Sequence, residues 1–343
     1  MSFLLAFAIL FPISVSAGNF PPLGVIDFFG NRVTSSDQIL RVLPFHVGDP
    51  VDFRKFNGQR DAAIEKIKTL PGVLGASVEL VCCTEDHKSM LYVGIEEAGS
   101  PCIAFGSEPT GNSQLPAVVI RASQDVEEAW EKTALRGNST EDDSQGHALS
   151  NDPELRALQL RLVPLADLYL ADLKNALHTS SDSTQRAIAA ELLGYSTDKQ
   201  SVVPDLVVAM HDPASEVRNN AMRALEVFAH SSPRPPNPKI SVPPQPFVEM
   251  LNSCVWTDRN KSAAAVDVLT QDRDAAVLGE ISKGALPSLV EMARWKNLGH
   301  AESSLMILGR IGGLSEEQIS KDIEAGNRGA ILAAAQKSAA NDR

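Results

Sequence analysis

The chain has 343 residues, 43% apolar and 22% charged, a composition that folds rather than stays disordered. Its 31 Lys and Arg against 43 Asp and Glu leave a formal charge of −12, so it gains nothing from releasing phosphate counterions, and nucleic acid is excluded as the expected partner. No polybasic cluster marks an anionic lipid surface.

Residues 1–17 read as a secretory signal: Phe3 to Ile13 are almost wholly apolar, and Val15-Ser16-Ala17 offers a small-residue cleavage site before Gly18. The run is too short to span a bilayer, and it lacks the Lys or Arg that usually opens a signal. The expectation is export to a bacterial periplasm, with no integral membrane segment after cleavage. Four cysteines, Cys82, Cys83, Cys102 and Cys254, suit an oxidising compartment without requiring it. Neighbouring cysteines rarely pair, because the ring they close is strained. A bridge from Cys82 or Cys83 to Cys102 and buried thiols both stay open. No CxxC spacing marks a zinc site.

Residues 18–98 predict a small α/β module. Val25 to Phe29 is a strand closed by Gly30-Asn31, and Ser35-x-x-Gln38 has the form of a capping box ahead of Ile39 and Leu43. A second helix carries Phe53, Phe56, Ile64 and Ile67 and ends at Leu70-Pro71-Gly72. Ala76, Val78, Leu80 and then Leu91, Val93, Ile95 alternate with other residues, the period of half-buried strands. The order strand, helix, helix, strand, strand, with Gly30-Asn31, Ile39, Leu43, Gly48, Leu70 through Val78 and Val93-x-Ile95-x-Glu97, resembles the polypeptide-transport-associated (POTRA) domain. That resemblance implies docking of extended partner segments along an exposed strand edge. No later segment alternates as a membrane barrel requires, so docking alone carries over.

Residues 99–150 form a connector. Gly99 to Leu115 reads as loop, Ala117 to Ile120 as one strand, and Ser123 as the cap of a short helix through Val126, Ala129, Trp130 and Leu135. The run Glu141-Asp142-Asp143 beside His147 invites a metal reading, but hard-cation loops space their carboxylates regularly, so a solvated acidic loop is expected. Asn138-Ser139-Thr140 has the N-glycosylation form.

Residues 151–314 carry a repeat. Pro204 is read as opening a helix, and Pro164, Pro204, Pro246 and Pro287 each precede an apolar helical stretch, at intervals of 40, 42 and 41 residues. Second helices follow at Arg186 to Leu193, Arg218 to Phe228, Lys261 to Leu269 and Ala301 to Leu308. A basic residue (Arg186, Arg218, Lys261) precedes the alanine-rich face by three in all but the fourth copy. The unit Asp212-Pro213, Val217-Arg218, Ala221, Ala224-Leu225 resembles a HEAT repeat. In such repeats Asp212 and Arg218 tie the inner turn to the second helix. Tyr195, Trp256 and Trp295 are expected to pack, and His178, His211, His230 and His300 to meet helix C-terminal dipoles. The proline-rich stretch 231–246 is a loop between units, and 315–343 a capping helix with a fraying tail.

The fold expected is therefore a POTRA-like α+β module followed by an all-α HEAT-like solenoid. A pair of short helices cannot bury both apolar stripes alone, so neighbours must stack on it and leave an inner surface. With no GxSxG, HExxH or phosphate loop, no catalytic residue, cofactor or metal ligand is assigned. The function expected is a non-enzymatic scaffold of the cell envelope binding a protein partner, with Asn219 and Asn220 as candidate contacts. The alternatives are an outer-membrane assembly factor acting through the strand edge and, on fold analogy with HEAT-like bilin lyases, an enzyme.

Overall fold

The computed structural model of the protein describes residues 21–84, 86–100, 103–135, 140–231 and 240–341. The leader at 1–17, Cys102, the Asn138-Ser139 pair and most of the proline-rich loop lie outside the described residues. By contacts the chain divides into two compact units. One holds Ala104–Phe247; the other joins the described residues before Ala104 with Val248–Arg343, a grouping that no sequence feature announced.

In this second, discontinuous unit the chain begins with β1 (Leu23–Phe29), α1 (Ser36–Val42), α2 (Phe53–Lys68), β2 (Val73–Val81) and β3 (Ser89–Glu97), the order its pattern predicts. Ser35 and Gln38 close the capping box at α1, and Asp52 caps α2. Strand β3 is central, parallel to β1 and antiparallel to β2. Strand period two then divides the side chains. Leu91, Val93 and Ile95 join Ile26, Val78, Ile39, Leu43 and Ile67 in one apolar core.

The other face of the sheet is also buried, where the alternation predicts solvent. It meets α10 (Trp256–Leu269), α11 (Ala275–Met292) and the first turn of α12 (Leu298–Ile311), which α13 (Glu316–Glu324) and α14 (Arg328–Asn341) follow. Tyr92 stacks on Trp256 with ring centroids 4.9 Å apart and touches Trp295 at 5.0 Å. Helix α10 has no cap of its own; the Glu79 carboxylate of β2 accepts from Trp256 N (2.6 Å) and Thr257 N (3.3 Å) instead. Asp27 of β1 accepts from Lys296 N at 2.8 Å. Gly94 sits where a Cβ would strike the Cys254 carbonyl, so glycine sets the spacing between sheet and helices.

In the first unit, α3 (Ala117–Leu135) is one long helix. The strand expected at 117–120 is its first turn, nucleated by Pro116, whose carbonyl accepts from Val119 and Ile120. There follow the two-residue strands β4 (Glu141–Asp142) and β5 (Leu149–Ser150), then α4 (Pro153–Leu168), α5 (Leu170–Thr179), α6 (Ser183–Leu193), α7 (Lys199–Ala209) and α8 (Ser215–Ser231). The unit boundary falls within α9 (Gln245–Met250). First helix packs on first (α5 on α7), second on second (α6 on α8), and each on its own partner, so this unit is built of stacked helix pairs. In the second unit α12 likewise packs between α10 and α14.

Pro204 does not open its helix as expected. Pro164, Pro204 and Pro287 lie inside α4, α7 and α11, because Asp152, Asp198 and Asp274 cap those helices well upstream. Only Pro246 stands in a first turn.

The repeated arginine is a structural device. The guanidiniums of Arg186, Arg218 and Arg259 each donate to the carbonyl six residues upstream, on Ser180 (2.9 Å), Asp212 (2.9 Å) and Ser253 (2.5 Å). Each of those residues also caps its turn, its side chain accepting the N–H two residues on. The third copy's equivalent is therefore Arg259, not Lys261. Asp212 does not pair with Arg218 through its carboxylate. It takes Arg186 of the preceding second helix in a fork, at 2.7 and 2.9 Å. Arg218 donates to the backbone of that turn and lies 3.8 Å from the ring centre of Phe105. The fourth copy has Ala301 at this position, and Arg328 at the start of α14 supplies the guanidinium to Trp295 O (2.6 Å).

Three smaller expectations change. Residues 328–341 form α14, packed on α12 with Ile331 and Ala335 buried, so the tail does not fray. His300 lies in the first turn of α12, not at a C-terminus, and its Nδ1 meets the Tyr92 hydroxyl at 2.6 Å. Cys82 and Cys83 are bridged to each other, the pairing that ring strain argued against, while Cys254 keeps a thiol donating to Ile95 O at 3.4 Å. Tyr195, Trp256 and Trp295 are buried packing residues, as expected.

Candidate protein-interaction face

The face of interest in the first unit is made by α6 and α8, the two second helices. Small residues bring them together: Ala189, Ala190, Ala221 and Ala224 are buried at or near their contact. Asn220 then ties them, donating from Nδ2 to Ala187 O at 3.0 Å. Asn219 donates to Asn220 Oδ1 at 3.3 Å, while its own Oδ1 is buried with no hydrogen-bond partner among the described residues. Both candidate contacts are thus engaged within the scaffold, Asn220 across the two helices and Asn219 on Asn220.

Beside them, sequence reasoning missed the stronger polar groups. Glu191 of α6 and Arg223 of α8 share with Asn220, Tyr195 and Val227 the wall of a slot of about 20 Å³, room for one water. Burial pushes the Glu191 carboxyl up, against the Ser123 hydroxyl, which donates to it at 2.7 Å, and the nearby Arg223 charge. Burial likewise raises Glu127 on α3, with Glu131 and Glu128 adding to it. Ser123, expected to cap a helix, sits within α3 and serves Glu191 instead. The missed signal was periodic: Arg223 lies four residues after Asn219, on the same helical face.

The acidic run is not a solvated loop. Thr140 to Ser150 form a strap, closed by Gly146 at φ +74° and by Asn151 N donating to Thr140 O at 3.0 Å. Its base is core: Leu149 is fully buried and Ser150 N donates to Gln159 Oε1 at 2.7 Å. Its acidic tip is held by two arginines and a histidine. Glu141 pairs with Arg223, Asp142 with Arg156 of α4 at 3.0 Å, and Asp143 with His230. His147 stacks on Tyr195 (5.9 Å, 12°), whose hydroxyl donates to Ala148 O at 3.1 Å. Burial, helped by the Lys199 charge, lowers the His147 imidazole to about 4, so it is neutral near pH 7.

The remaining candidates do not join this face. Arg186, Asp212 and Arg218 are buried in the turns between helices. His178 is bound to Asp205 at 2.7 Å on the first helices. Among the described residues no group of His, Cys, Asp and Glu has metal-ligand geometry, and no helix is long and apolar enough to cross a membrane.

No family model matches the chain, and no curated protein does. Among solved structures it is similar to a designed armadillo repeat protein, with 17% identity and a TM-score of 0.34 over 55% of this chain and 94% of that one. It is similar also to computationally designed armadillo repeat proteins for modular peptide recognition, with 16% identity and a TM-score of 0.36 over 65% of this chain and 98% of that one. At TM-scores this low the likeness carries no argument about fold or partner, which rests on the chain's own packing.

Proposed function

We propose that the chain is a non-enzymatic scaffold that binds a protein partner on the α6–α8 face of its first unit. One observation carries this reading. The face carries a row of polar side chains, Asn219, Glu191 and Arg223, each held in place by a neighbour, on helices locked by Asn220 and the Arg186–Asp212 fork. Groups held that way lose little entropy on binding, which is what a docking surface needs. The apolar run at 3–13 motivates an envelope location for this scaffold, and sequencing the native N-terminus checks it. The test of the binding face is a photo-crosslinker at position 219 in the full chain. A partner protein crosslinked there, and not from position 208 on α7, supports the reading; equal labelling from both positions refutes it.

A second reading, an assembly factor docking through the sheet, is favoured by one feature. Strand β2 is at the edge of the sheet, and among the described residues its outer side pairs with no strand. Replacing Gly75, on that edge, with proline would abolish a β-augmented partner's binding and leave an α6–α8 partner bound.

A further inference from the structure

The strap tip has the form of a ligand. Three consecutive carboxylates each meet a different basic side chain, Arg223, Arg156 or His230, and the alternation of an extended chain sorts them. Glu141 and Asp143 turn to α8, on Arg223 and His230, while Asp142 turns the other way to Arg156 on α4. Arg223 and His230 are seven residues apart, about 10.5 Å along the helix, and the strand repeat is about 6.8 Å, a difference that flexible side chains close. The tip itself is held by side chains and by a strand pair of two residues on each side, whereas the core contacts belong to the base at Ala148 to Ser150. A chain of net charge −12 has thus gathered two arginines and a histidine from two helices at one place to receive an acidic extended segment.

We infer that the seat made by Arg223, Arg156 and His230 is the binding site for an acidic extended segment of a partner protein, and that the Glu141–Asp143 tip occupies it in the unliganded chain. This rests on the scaffold reading and names the partner's chemistry: three successive carboxylates in extended conformation. The partner must displace the tip, so its apparent affinity is reduced by the fraction of molecules in which the seat is open. Charge-assisted pairs of this kind also set a salt dependence.

The experiment uses the full chain and a fluorescein-labelled heptapeptide, Gly-Ser-Glu-Asp-Asp-Ser-Gly, with a Gln-Asn-Asn control in its centre. The strap variant E141Q/D142N/D143N should bind the acidic peptide roughly tenfold more tightly than wild type, as expected if the seat is open about a tenth of the time, and should ignore the control. Added salt should weaken that binding. A folded variant that binds neither peptide, or both alike, overturns the inference and leaves the strap as an internal staple. Should the variant unfold, hydrogen exchange on wild type decides. Saturating acidic peptide should speed exchange of the amides of 141–144, and unchanged rates overturn the inference. Position-219 crosslinking to a partner that persists without acidic-peptide binding sinks this inference alone; loss of both sinks the scaffold reading with it.

Discussion

Replacing Asp212 with alanine tests the device that holds the stacked pairs in register. Arg186 is completely buried, and its fork to Asp212 at 2.7 and 2.9 Å is the tie from α6 to the turn before α8. The substitution strands a guanidinium in the core with only Ser180 O still accepting from it. Removing one partner of a buried pair costs about 3–5 kcal/mol. The Ala214 N–H also loses its acceptor, about 1 kcal/mol for a cap, but the surviving Ser180 bond offsets a similar amount. The net expectation is about 3–5 kcal/mol, or a fall in Tm of about 8–15 °C for a unit of this size. Urea unfolding followed by circular dichroism measures it, with hydrogen exchange on α6 and α8 amides locating the loss. Replacing Arg186 by methionine as well should recover much of the cost, since no charge is then left unpaired. A single-variant loss below about 1 kcal/mol, or a double variant whose cost equals the sum of the singles, would refute the buried-fork argument.

Three further outcomes are expected. His147 is held near 4 when folded against 6.5 when unfolded, so as pH falls below 6.5 the unfolded chain takes the proton first and stability drops until about pH 4. At pH 5 the loss is about 2 kcal/mol, and His147→Phe, which keeps the stack on Tyr195, should flatten that part of the stability–pH curve. Burial takes His300 lower, to about 3, so acid destabilises the second unit down to that pH, and titration by NMR should find its imidazole neutral at pH 5. Gly94→Ala should destabilise by about 1–3 kcal/mol through overpacking against the Cys254 carbonyl and Phe29, read by thermal unfolding, whereas Gly58→Ala on α2, with open space around it, should be neutral or stabilising.

Much of the local structure was legible because short-range chemistry decides it. The capping box at Ser35, the alternation of Leu91, Val93 and Ile95, and the three-and-four spacing in 217–228 place their elements within a few residues. The site was legible only in part. Asn219 was singled out because it stands beside the apolar stripe of the best repeat, whereas Glu191 and Arg223 were passed over because a charged residue on a helix is ordinarily solvated. The acidic run was read as solvated for the same reason: its three partners stand 14, 82 and 87 residues away.

The sequence by itself determined the elements, their caps and the recurrence of helix pairs, since those depend on groups within one or two turns of each other. Tertiary structure alone decided that Asp212 serves Arg186 rather than Arg218, and that Arg259 rather than Lys261 carries the third copy's bond. It also decided that Glu79 caps a helix far along the chain and that both faces of the small sheet are covered. Those choices turn on which charge or ring stands opposite once the chain has folded. A buried fork or stack is worth several kcal/mol only at contact distance, and no local pattern encodes what lies opposite.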